Sequence, residues 1–167
     1  MPTETMISTE SRPSTESPWT LAELAASGLP LAEQTAGLFS GVRDHDLPRL
    51  EALCDDDHGI VDIAPDGSSV VIPDQAAWRA WFEQLFAQLD AMQATTDTLV
   101  TGYDTSVWTD AAMGVVHFTQ TLTIGGHTAR FACIVTIVWK QVEGRWQEAR
   151  WHASMLDTEV PEGFPGA

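Results

Sequence analysis

The segment from Met113 to Leu156, MGVVHFTQTLTI-GG-HTARFACIVTIVWKQV-EG-RWQEARWHASML, constrains the fold more than any other part of the chain. β-Branched and aromatic residues fill its runs and glycine-containing dipeptides interrupt them, so it reads as three long antiparallel strands joined by two tight turns. A two-residue turn at Gly125-Gly126, with positive φ at both positions, sets Ile124 opposite His127 and Phe118 opposite Cys133. One face of this hairpin is then Val116, Phe118, Leu122, Ile124, Ala129, Phe131, Cys133, Val135, Ile137 and Trp139, broken only by Gln120 and by His127 at the strand end. The opposite face carries His117, Thr119, Thr121, Thr123, Thr128, Arg130 and Thr136 among a few aliphatics.

The second turn admits two registers, and a one-residue slip exchanges the faces of every side chain. A strict Glu143-Gly144 turn puts Glu148, Arg150 and His152 on the apolar face. A three-residue turn with a bulged Gly144 instead places Ala149, Trp151, Ala153 and Met155 there and sends the three polar residues outward. The second register segregates polarity better and is the expected one.

A chain of 167 residues, 44% hydrophobic, is one domain's worth with enough apolar material for a core. The net charge of −16 argues against a phosphate-binding surface, which needs a basic face, so neither nucleic acid nor an anionic membrane is an expected partner. With no long apolar run and no basic-then-apolar leader, a cytoplasmic location is expected. Cys54 and Cys133 have no metal-ligand spacing and are expected to be reduced and structural.

Residues 1–17 are rich in Ser, Thr, Glu and Pro and are expected to be a disordered tail. Ser17 as N-cap and Pro18 at the first helical position start a short helix stopped by Gly28, an N-terminal appendage over 18–28. The three- and four-residue spacing of Leu31, Thr35, Leu38, Phe39 and Val42 predicts an amphipathic helix to about Arg43. Asp46 caps a second one, from Leu47 to about Cys54. Asp55-Asp56-Asp57 is read as a solvated turn at its end, and no metal or cofactor is expected. Ile60 to Ala64 is a short strand ended by a Pro65-Asp66-Gly67 turn. Asp74 caps the strongest helix, whose stripe of Trp78, Trp81, Phe82, Leu85, Phe86 and Leu89 needs a large apolar surface to lie on. Thr95 to Thr109 is a further strand, and 158–167 an irregular tail.

Helices first and four antiparallel strands last, with no βαβ repeat, give an α+β architecture: a curved, mainly antiparallel sheet with helices on its concave side. The Asp46 helix with Leu50 and Leu53, the DDDHGIVDIAPDG segment, the helix from Asp74 and above all TIVWKQVEGRWQEARWHAS resemble the nuclear transport factor 2-like superfamily, within it the SnoaL-like and kinase association-domain groups. The resemblance covers roughly 29–157. It implies a cone with an apolar pocket between sheet and helices, walled here by Phe39, Trp78, Phe82, Phe86, Phe118, Phe131, Cys133, Val135 and Trp151. It also implies dimerisation through the outer sheet face, where His117, Arg130, Ile134, Arg150 and His152 would meet a second copy.

Chemistry in such a pocket falls to few residues. IVDIAP is similar to the segment carrying the catalytic carboxylate of the superfamily's ketosteroid isomerases, which makes Asp62 a candidate base. An acid in an apolar cone has a raised pKa, which suits that task. The family's oxyanion-donating tyrosine falls near Leu38, so polarisation would fall to Gln120 or Tyr103. The kinase association domains' pocket arginines match Ile137 and Ala153, which favours an apolar ligand over an anion. The absent tyrosine and the isolated Asp62 lean toward a small-ligand-binding and dimerisation protein. The alternative is an acid–base enzyme, of isomerase, cyclase or dehydratase type, acting on a polyketide-, steroid- or terpenoid-like substrate.

Overall fold

A computed structural model describes residues 18–64 and 66–165, without the side chain of His58. The expected disordered tail, the Ser17 cap, Pro65 and the last two residues lie outside the described part. The elements in order are β1 (Trp19–Thr20), α1 (Leu21–Ala26), α2 (Ala32–Arg43), α3 (Leu47–Leu53), β2 (Cys54–Ile63), β3 (Ser69–Ile72), α4 (Gln75–Ala91), β4 (Thr95–Val107), β5 (Ala111–Ile124), β6 (His127–Val142) and β7 (Arg145–Glu159). The strands form one seven-stranded sheet in the order β1-β4-β5-β6-β7-β2-β3, antiparallel except for the β2–β7 pair. This is the expected α+β fold.

The caps follow the side-chain chemistry. Asp46 accepts the Arg49 N–H and Asp74 the Ala77 N–H, each occupying a donor that the first helical turn leaves free. The first helix begins later than expected. Thr20, not Ser17, is its N-cap, in a reciprocal pair of bonds with Glu23, while Trp19 and Thr20 themselves pair with Val100 and Leu99 of β4. The Thr20 hydroxyl with Glu23 three residues on makes the better cap.

Gly125 and Gly126, at φ +56° and +84°, make the two-residue turn that fixes the β5–β6 register: Ile124 faces His127 and Phe118 faces Cys133. The inner face is the expected one. Val116, Ala129, Val135, Ile137 and Trp139 are completely covered, and Trp78, Phe82, Phe86 and Leu89 of α4 are buried. Aromatic rings converge between the layers, with Phe39 of α2 standing edge-on to Phe118 at 4.9 Å and tilted over Trp151 at 5.6 Å.

The second hairpin departs from both expected registers. Its turn is a strict two-residue one, with Glu143 and Gly144 at φ +51° and +78° and Val142 opposite Arg145. Trp139 consequently faces Glu148, but Val138 faces Arg150, so Ala149 is an extra residue in β7. This bulge reverses the phase of the strand. Glu148 before it points inward, whereas Arg150 and His152 after it point outward with Val138 and Thr136. Leu156 is a second extra residue, between Met155 opposite Cys133 and Asp157 opposite Ala132. Glu148 is therefore an inner-face residue, 4% exposed, and its expected outward placement is corrected.

The acidic run is also corrected. Asp55, Asp56 and Asp57 belong to β2, which starts at Cys54. Asp55 is buried and ion-paired with Lys140, which reaches over β7 from β6. No helix among the described residues is long and apolar enough to cross a membrane.

Candidate active site

Between α2, α4 and the inner sheet face lies a cavity of about 350 Å3. Seven of the nine residues expected to wall it do so: Phe39, Trp78, Phe82, Phe118, Phe131, Cys133 and Trp151. Val135 does not line it, being sealed between Val116 of β5 and Ala153 of β7. Phe86 does not either, because its ring stacks on the imidazole of His45 at 4.7 Å, where the His45 Nδ1 also meets Asp90 at 2.9 Å.

Among the described residues two carboxyls line this apolar space, Asp62 from β2 and Glu148 from β7. Asp62 Oδ1 accepts the N–H of Ile63 at 2.9 Å, which holds the side chain in place. The Trp151 indole N–H approaches the same carboxyl closely enough to favour its ionised form, yet short of hydrogen-bond geometry. Burial outweighs both and raises the Asp62 pKa above the ordinary carboxylate value. Glu148 is more deeply placed. Burial pushes it up to about 7, against a lowering hydrogen bond from Cys54, and the negative charge of Asp62 raises it further. Cys54 Sγ donates to Glu148 Oε2 at 3.1 Å across the parallel β2–β7 pair.

Both acids are thus raised above the ordinary carboxylate range, and the charge of Asp62 helps Glu148 keep its proton up to about pH 7. Cys133, also on the wall, is no nucleophile at this pH, since burial and the Asp62 charge push its thiol up to about 11.

Gln120 lies on the wall as well. Thr98, 2% exposed, donates its hydroxyl to Gln120 Oε1 at 2.8 Å, which leaves the amide N–H2 with only a 3.5 Å contact to the Thr121 carbonyl. The amide is thus oriented with spare donor capacity. Tyr103 is not among the lining residues. Its hydroxyl donates to the Pro30 carbonyl at 2.6 Å and lies 3.4 Å from the Thr35 hydroxyl, so it ties β4 to the α1–α2 connection. Among the described residues the one basic side chain on the wall, that of Arg43, directs its guanidinium at Asp44 through contacts of 2.8 and 3.2 Å and is not free for an anionic ligand.

His117, Arg130, Ile134, Arg150 and His152 share the outer sheet face, where His117 pairs with Ile134 and Thr136 with His152. Arg150 donates to the carbonyls of Asp57 and Ala149 there.

A family model for the SnoaL-like domain matches residues 35–158. The chain belongs to the SnoaL-like family of the nuclear transport factor 2-like superfamily. Among solved structures similar to this SnoaL-like chain is a hexachlorocyclohexane dehydrochlorinase, LinA type 2, with TM-score 0.66, 17% identity and 85% of this chain aligned to 96% of that one. LinA-type3 from Novosphingobium barchaimii LL02 aligns with TM-score 0.65 and 14% identity, over 83% of this chain and 92% of that one. An NTF2-like protein of unknown function from Pseudomonas putida KT2440 aligns with TM-score 0.59 and 18% identity, over 77% and 86%. At these identities the likeness is one of fold. No curated protein matches the chain in sequence.

Proposed function

We propose that the chain is an acid–base enzyme acting on a compact, largely apolar substrate, with Asp62 as base and Glu148 as its protonated partner. The observation that carries this reading is the pair of carboxyls in one apolar cavity, both raised by burial. Asp62 accepts a proton from a carbon next to an electron-withdrawing group. Glu148 and the Gln120 amide donate hydrogen bonds to the oxygen on which charge develops, a contribution of about 3 kcal/mol per well-aimed donor. The rings of Phe39, Phe118 and Trp151 exclude water from the reacting carbon. The LinA relatives are named dehydrochlorinases, a reaction that also removes a proton from carbon.

The experiment is deuterium incorporation next to the carbonyl of small cyclic ketones in D2O, followed by NMR. The protein is expected to accelerate exchange over buffer, Asp62→Asn to abolish the acceleration, and Glu148→Gln, which keeps a weaker neutral amide donor, to reduce it about tenfold. Exchange at the buffer rate, or an Asp62→Asn variant as fast as the parent, would overturn the assignment.

The outer sheet face supports a second element of this reading, a homodimer through His117, Arg130, Ile134, Arg150 and His152. Leu156 stays 58% exposed beside this surface, with half-buried Val115, Ile134 and Val138 on it. Light scattering at micromolar concentration is expected to give twice the 18.2 kDa chain mass, and a monomer would refute it.

A further inference from the structure

The C-terminal turn lies beyond residues 35–158, the span that matches the family model, yet it bears on the cavity. After β7 the chain folds through Pro161 to Phe164, whose N–H donates to the Pro161 carbonyl at 3.1 Å, with Gly163 at φ +77°. The turn carries the Phe164 ring back onto α4 and the β5–β6 hairpin. There it is buried against Leu89, Ala94, Ile124 and Ala129, with Leu85, Leu122 and Phe131 packed beside the same cluster. Four of these residues, Leu85, Leu89, Leu122 and Phe131, also form cavity wall. They are all apolar, whereas the carboxyls stand on β2 and β7. The wall segment shared with the Phe164 cluster packs with that ring on its short turn.

We propose that Phe164 is a positioning residue that sets the length of ligand the cavity accepts, by backing the apolar wall formed by Leu89, Leu122 and Phe131. The inference rests on the cavity being the ligand site and concerns a residue that does not line it. Close packing makes the wall rigid only while its rear is filled. Removing the six ring carbons lets Leu89 and Phe131 retreat, which lengthens the accessible space. This would make the short segment outside the family span the chain's own device for choosing among substrates on a shared scaffold.

The test uses the homologous series from 2-butanone to 2-undecanone as probes, with binding followed by calorimetry and by the fluorescence of the wall tryptophans. For the parent, affinity is expected to rise about fourfold per added methylene until the wall is met, and then to fall. Phe164→Ala is expected to move that break by about two carbons toward longer ketones, with affinity for the shortest members held within about twofold. Phe164→Leu, which keeps most of the packing, moves it less, and Phe164→Trp leaves it in place or moves it toward shorter ketones. A uniform loss across the series in all three variants, or an unchanged break in Phe164→Ala, would overturn the proposal. Failure of the parent to bind any ketone would remove the ligand site and the proposal with it. Binding without deuterium exchange would overturn only the acid–base reading.

Discussion

Cys54 Sγ and Glu148 Oε2 lie 3.1 Å apart across the only parallel strand pair of the described sheet, and the thiol is the donor. Neither residue is at the surface. A weak donor thus meets a buried acid, and the acid's environment decides how stability responds to pH.

Glu148 titrates near 7 in the folded chain against an ordinary 4.5. Between those values the folded state holds a proton that the unfolded state has released, so stability declines as pH rises through this window. The loss reaches on the order of 3 kcal/mol, at about 1.4 kcal/mol per unit. Glu148→Gln removes the titrating group. Its melting temperature is expected to change less than the parent's between pH 4.5 and 8, and to exceed it at the upper end. Parallel thermal melts across that range check this.

The Cys54 thiol favours the ionised form of Glu148. Cys54→Ala is expected to raise the Glu148 pKa further and to shift the alkaline limb of exchange activity upward. Cys54→Ser keeps a hydroxyl donor and is expected to return the limb toward its parental position. A pH–rate profile separates this from simple loss of packing, which lowers stability without moving the limb.

Thr98 holds Gln120 in the orientation that leaves the amide N–H2 unspent. Thr98→Val keeps the shape and removes the hydroxyl. A cost of about 1 kcal/mol in denaturant unfolding is expected, the worth of one buried hydrogen bond. If Gln120 polarises the substrate, kcat for exchange falls as well, because the freed amide can rotate.

Asp55 is held below the usual carboxylate range. Burial works against its charge, and Lys140 outweighs it, helped by the Asp57 N–H. Stability from this pair is present above pH 4 and is lost as pH falls below the ordinary aspartate value. Lys140 is 40% exposed, so solvent screening keeps the effect modest. Lys140→Met is expected to cost about 1 kcal/mol at pH 7 and less as pH falls below the ordinary aspartate value, measured by urea unfolding at pH 7 and pH 3.

The frame of the molecule was legible because its signals are local. Gly125-Gly126 marks a two-residue turn, and the alternation of Val116, Phe118, Cys133 and Val135 then fixes which face is covered. Asp46 and Asp74 announce their helices in the same way. Glu148 was misplaced for a different reason. Either register of the second turn, extended without interruption, treats β7 as one regular strand, and the better overall segregation of polarity sends Glu148 outward with Arg150. The chain instead combines the tight turn with a bulge at Ala149, which leaves Glu148 opposite Trp139 and beside Cys54 of β2. Tyr103 is a similar case, since a tyrosine in a strand does not reveal that its hydroxyl will meet a carbonyl on the α1–α2 connection.

The bulge at Ala149 also bears on how such a pocket can change over generations. On a regular strand, inward and outward positions are locked together along its whole length, and gaining an interior acid requires replacing a residue already committed to the core. One inserted codon sets the stretch before it out of phase with the stretch after it. The polar surface sequence of Arg150 and His152 can then persist unaltered while Glu148, two positions earlier, becomes available to the interior. Descendants of this scaffold can acquire or lose a buried acid through a single insertion or deletion, with no substitution in the hydrophobic layer.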